Sequence, residues 1–168
     1  MIRSLGVRWR AAWSLWLAAV LVSGSMSPGP ALAGDLPKAG SFSATFVNEG
    51  RTEAVQIGKD EWSWTFFGRI ATVNESGAGP WHNMSGDCLG MGIGEQSSGY
   101  CRLSDADGDM IFEHWTESVA GKGTSKVSGG TGKFEGIEAT FEYDYVLLPS
   151  SEGRVHLVGK KRGRYTLP

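Results

Sequence analysis

The chain has 168 residues, 16 basic and 18 acidic side chains, and two cysteines. Three of the basic residues, Arg3, Arg8 and Arg10, lie at the very start; beyond residue 33 the balance is 13 to 18, a net charge of −5. That surplus of acid argues against nucleic acid as a partner, because nucleic acid rewards a basic surface through counterion release.

In chain order, residues 1–33 read as a secretory signal peptide. The three arginines form a positive n-region and residues 11–22 an apolar h-region too short to span a bilayer comfortably, the alternative being an uncleaved membrane anchor. Ala31-Leu32-Ala33 then supplies the small-x-small pattern that signal peptidase requires. This predicts cleavage after Ala33 and a periplasmic or secreted product spanning 34–168, long enough for one domain with a core. No later apolar segment reaches transmembrane length, so the mature form is not expected in a membrane.

The rest of the chain is a series of short alternating runs broken by Gly, Asn and Asp, the mark of half-buried strands. The runs cover 41–46, 52–57, 62–66, 82–93, 99–104, 110–119, 123–127, 137–147 and 155–160. The clearest is 137–147, where Ile137, Ala139, Phe141, Tyr143, Tyr145 and Leu147 share one face and Glu138, Thr140, Glu142 and Asp144 the other. Eight or nine strands without intervening helices predict an all-β fold, a single closed antiparallel barrel of about eight strands. Closure also removes exposed edges, a liability for a secreted sheet protein.

Cys88 and Cys101 are the only cysteines, and in an exported chain an even pair reads as a disulfide. Closing so short a loop stabilises by about 2–3 kcal/mol in the chain-entropy model.

Several groups are candidates for chemistry. Asp105, Asp107 and Asp109 open like a calcium loop, but Met110 and Thr116 occupy the positions where an EF-hand needs Gly and Glu. A looser calcium loop stays open. The alternative is a hairpin turn, since Gly108 tolerates positive φ and aspartate side chains satisfy turn backbone. His82, with Asn83 beside it, follows a Gly/Pro-rich loop where a barrel mouth is expected and is a candidate general base. Glu113 and His114 are further candidates; as strand neighbours they point to opposite faces and cannot form one acid–base pair. For Glu113, surface exposure is the simpler expectation. Trp62, Trp64, Phe66, Phe112, Phe141, Tyr143 and Tyr145 either line a cavity for a flat or long apolar ligand or fill the core. The basic run Lys160-Lys161-Arg162-Gly163-Arg164 reads as the solvated face of a last strand rather than an anion site. No hydrolase, metalloprotease, P-loop or dinucleotide motif is present, and no cofactor is expected.

Ser128-Gly129-Gly130-Thr131-Gly132-Lys133-Phe134-Glu135-Gly136-Ile137 resembles a segment shared by dirigent proteins and allene oxide cyclases, where a glycine-rich turn and a Phe precede a long alternating strand. A wider stretch is similar to bacterial secreted proteins of the same barrel type. It includes Gly79-Pro80-Trp81-His82-Asn83-Met84-Ser85, the two cysteines and the Asp105–Asp109 run, and it brings no activity with it. The first resemblance implies an eight-stranded barrel with an apolar cavity, plugged at one end by Phe134 and assembled as a homotrimer. The plant proteins' acidic and polar cavity residues match no positions here.

These readings leave three functions. A binding module for a small apolar ligand predicts an open cavity with few titratable groups. A cyclase or isomerase of the allene-oxide-cyclase kind needs His82, His114 or Glu113 inside that cavity. A structural or partner-binding barrel predicts a filled interior and an exposed apolar patch.

Overall fold

The computed structural model describes residues 36–168. The signal-peptide reading and its cleavage after Ala33 fall on residues 1–33, outside the described residues.

Eight strands make the fold: β1 (Ala39–Gln56), β2 (Trp62–Asn74), β3 (Met84–Ile93), β4 (Gln96–Ser104), β5 (Met110–Val119), β6 (Lys122–Gly130), β7 (Glu138–Leu148) and β8 (Arg154–Thr166). Each pairs antiparallel with the next, and β8 pairs back onto β1, so the sheet is a closed barrel in sequence order. A single 3-10 turn, Gly132–Phe134, interrupts the link from β6 to β7. The period-two pattern decides which residues enter: on β7, Ala139 and Phe141 are buried while Glu138, Thr140 and Glu142 are exposed.

The run at 52–57, expected as a strand of its own, is the second half of β1. Gly50 does not break the strand; it pairs with Gly68 of β2 and the ladder runs through both. The Phe66 ring lies over this glycine pair: a β-carbon on Gly50 would sit 2.6 Å from Phe66 Cε2, and one on Gly68 2.5 Å from Cζ. Trp115 covers Gly90 and Gly99, which also face each other across β3 and β4, in the same way. Several glycines that read as punctuation are therefore strand positions where an aromatic ring packs close against the backbone.

The two ends differ. One carries the loops at 75–83, 105–109 and 131–137, and there the core gathers around Phe42, Met84, Leu103, Ile111, Phe134 and Tyr165. Phe134 is buried at that end, as the sequence expects. The plug that sequence reading misses is Trp81, fully buried and stacked on Phe42 with ring centroids 3.9 Å apart. Trp81 holds a left-handed backbone (φ 63°), which costs about 1–3 kcal/mol in a non-glycine residue. Burial of the indole offsets that cost. Polar groups fix the loop as well: Thr72 Oγ1 donates to the Trp81 carbonyl at 2.9 Å, and Asn74 Nδ2 to that of Pro80 at 2.9 Å. The opposite end, where links join β1 to β2, β3 to β4, β5 to β6 and β7 to β8, is open.

The aspartates at 105–109 turn between β4 and β5 as a hairpin. Asp105 Oδ1 accepts backbone N–H bonds from Asp107 and Asp109. The cation they gather is Lys133, whose Nζ lies 2.6 Å from both Asp105 and Asp107 while its backbone N–H donates to Asp109.

Candidate functional site

Cys88 and Cys101 are bonded to each other, directly opposite in the β3–β4 ladder, with both side chains turned into the barrel. Above the plugged end lies a cavity of about 260 Å³. Phe46, Phe66, Phe141 and Leu157 give it apolar walls, with the disulfide on one side. Trp64, Leu147 and Val155 line it toward the open end.

Two polar clusters interrupt this apolar lining. The deeper is Lys161 of β8 with Glu113 of β5. Nζ lies 2.8 Å from Glu113 Oε1, and the side chains are only 2% and 4% exposed. The same oxygen accepts the indole N–H of Trp81. Three rings surround the ammonium, with centroids at 5.1 Å (Phe141), 5.8 Å (Trp81) and 5.9 Å (Phe46), a geometry in which π faces hold a cation. Burial lowers the Lys161 pKa, and the Glu113 carboxylate opposes that shift.

The second cluster is Glu117, further along β5 toward the open end. Its two oxygens accept the hydroxyls of Tyr143 (2.9 Å) and Tyr145 (3.1 Å). Burial raises the Glu117 carboxyl, the two phenol donors offsetting this in part. Burial beside that carboxyl in turn drives Tyr143 far above the usual phenol range and pushes Tyr145 up to about 12. Nearby, Asn48 Oδ1 is buried with no hydrogen-bond partner among the described residues, a polar atom left open on an otherwise apolar wall.

Of the residues the sequence singles out, the structure gathers Trp64, Phe66, Phe141, Tyr143, Tyr145, Glu113, Cys88 and Cys101 around the cavity. Trp62 shares the inward face of β2 but stands at the rim, 48% exposed, and does not line it. Phe112 lies on the opposite face of β5 from Glu113, away from the cavity. His114 is on that outer face too, against Tyr100, with ring centroids 4.6 Å apart. His82 belongs to the plug loop at the closed end, not to a mouth, and meets the Asn74 carbonyl and the Asn83 amide there. Glu113, for which surface exposure is the simpler expectation, is the candidate that enters the barrel.

Lys161 is the residue that sequence reading misses. The basic run reads as a solvated face, and its alternate members form one: Lys160 pairs with Glu75 at 2.6 Å and Arg162 with Asp144 at 3.2 Å, outside the barrel. Lys161, between them, turns inward. The signal is present in the alternation of Val155, Leu157 and Gly159, which, continued by one more step, reaches Lys161. Glu113 is placed beside a β-bulge: Phe112 pairs with Gly129 and Glu113 with Val127, which leaves Ser128 as the extra residue.

No family model matches the chain, and no curated protein matches it. Among solved structures it is similar to a pterocarpan synthase dirigent protein, at 11% identity over 78% of this chain and 87% of that one, with a TM-score of 0.48. The barrel and the cavity are formed by this chain's own strand ladder and side chains.

Proposed function

We propose that the protein is an exported small barrel that holds a small, largely apolar ligand in its interior. The observation that carries this reading is the cavity of about 260 Å³, which stays open although aromatic side chains from β1, β2, β5 and β7 point into it. The expectation of few titratable groups needs revision, since Glu113, Glu117, Lys161 and two tyrosines share the space. The ligand therefore combines an apolar body with one or two polar atoms. The leader-like first 33 residues and the Cys88–Cys101 bond support export. A cyclase or isomerase reading draws on Glu113 alone among its three candidates, and no second group from that set is positioned to complete it.

The outer surface favours a further reading for partners. Phe67, Leu89 and Tyr100 occupy one continuous row across β2, β3 and β4, all more than half exposed, with Met91 beside them. Such a row suits self-association.

Native mass spectrometry of the protein purified from its export compartment tests both points. A small molecule that leaves on denaturation, with Trp64 and Trp115 emission changing on its return, is the expected result. A ligand-free mass and unchanged emission across a panel of small apolar compounds would sink the binding reading. The subunit number comes from the same spectrum.

A further inference from the structure

We propose that Lys161 is a carbonyl-capturing residue: the cavity takes a small, neutral, apolar aldehyde and holds it as an imine on Lys161 Nζ, with Glu113 moving the protons. This rests on the cavity reading above and names the ligand's chemistry.

Four observations carry it. First, an ammonium at the centre of a small barrel is not there for stability, because a well-packed apolar side chain in its place is generally as stable or more so. Second, Nζ hydrogen-bonds only Glu113 Oε1 among the described residues, its other neighbours being the faces of Phe46, Trp81 and Phe141, and the residue lines the cavity. Third, Glu113 Oε1 carries both protein donors while Oε2 accepts no hydrogen bond among the described residues, which leaves that oxygen for a proton or for a ligand hydroxyl. Fourth, the charge is already balanced: Glu113 neutralises Lys161, so an anionic ligand finds no unpaired cation here, whereas a neutral carbonyl needs none.

The step balances within the site. The ammonium of Lys161 passes one proton to the Glu113 carboxylate, and the freed nitrogen lone pair attacks the aldehyde carbon. The C–N bond forms as the carbonyl π pair moves onto oxygen. A second nitrogen proton then moves to that oxygen, giving a neutral carbinolamine. The Glu113 carboxyl protonates the hydroxyl, which leaves as water while the nitrogen lone pair closes the C=N bond. Net, ammonium and aldehyde give a protonated imine and one water, the Glu113 carboxylate is restored, and nothing is oxidised or reduced. The product keeps the positive charge where Phe46, Trp81 and Phe141 already surround it. Burial, which favours a neutral amine, helps the first proton transfer.

The test uses the whole folded protein, benzaldehyde as the probe, cyanoborohydride to trap the imine, and peptide mapping to locate it. Benzyl alcohol serves as the matched compound without a carbonyl, followed by Trp64 and Trp115 emission. The expected result is labelling at Lys161 at least about tenfold faster than at any other lysine, because the bound aldehyde is held beside the amine. It should saturate with benzaldehyde, slow when benzyl alcohol is added, and lose its preference in urea. If benzyl alcohol alters the emission but benzaldehyde leaves Lys161 unlabelled, the capture proposal is overturned and the cavity reading stands. If neither compound alters the emission and labelling is uniform over the lysines, both fall. A Lys161→Met/Glu113→Gln variant removes nitrogen and acid together without leaving a lone buried charge, and its lysines should label only at the slow surface rate.

Discussion

Lys161 and Glu113, 48 positions apart in sequence, meet at 2.8 Å in the interior of the barrel with almost no exposure to solvent. Each is the other's compensation. Removal of one partner leaves a charge buried alone, which typically costs about 3–5 kcal/mol, whereas removal of both does not. Lys161→Met is therefore expected to destabilise the protein by about 3 kcal/mol or more. Lys161→Met/Glu113→Gln should recover at least half of that loss, because the glutamine still accepts the Trp81 indole N–H. Urea unfolding of wild type, both single variants and the double variant measures the coupling. Additive losses would show that the two groups do not act as a pair.

The glycines under the aromatic rings give a second expectation. A β-carbon at Gly99 would lie 2.4 Å from Trp115 Cζ2 and 2.1 Å from the Leu89 carbonyl oxygen. Gly99→Ala must shift the β3 backbone at Leu89 as well as the indole, and overpacking of this kind costs about 1–3 kcal/mol or more. The displaced ring enters the cavity, so the apolar probe should bind more weakly than the stability loss alone explains. Urea unfolding together with Trp64 and Trp115 emission titrations reads both effects. Unchanged affinity in a destabilised Gly99→Ala protein would mean that Trp115 moves elsewhere.

A third expectation concerns pH. Burial raises Glu117 above its ordinary value of 4.5. A carboxyl raised in the fold binds its proton there more tightly than in the unfolded chain. Its stabilising contribution is full below the unfolded value and is lost as pH rises through the folded one. Glu117→Gln cannot ionise and escapes that loss while keeping an acceptor oxygen for the tyrosines. Its stability relative to wild type should improve between about pH 4 and about pH 8, as urea unfolding at the two values would show. A constant difference across that range would place Glu117 in contact with water in both forms.

How much of this was legible in the sequence depended on whether a residue's position followed from its neighbours. The inward face of β7 did, because Ala139 to Leu147 alternate without interruption, and so did the hairpin around the Asp105–Asp109 turn. The disulfide followed from an even cysteine pair behind a leader-like start. Lys161 did not, because a cluster of like charges resembles a solvated face even when strand parity sends one member inward. Trp81 could not be foreseen either, since its entry into the barrel depends on a loop folding back against β1 and β2. His82, one residue further on, was misplaced for the same reason: a Gly/Pro-rich loop can stopper a barrel as well as frame its entrance.

That stopper has a consequence for traffic. With Trp81 and Phe134 sealing one end, the interior is a blind tube, and whatever enters must leave by the same rim. If the barrel holds a ligand as proposed, the ligand would pass Glu117 and its tyrosines first and meet Lys161 last. On the ligand-binding reading, its trailing end would lie toward Leu147 and Val155, so the barrel would discriminate mainly by the chemistry of the leading end.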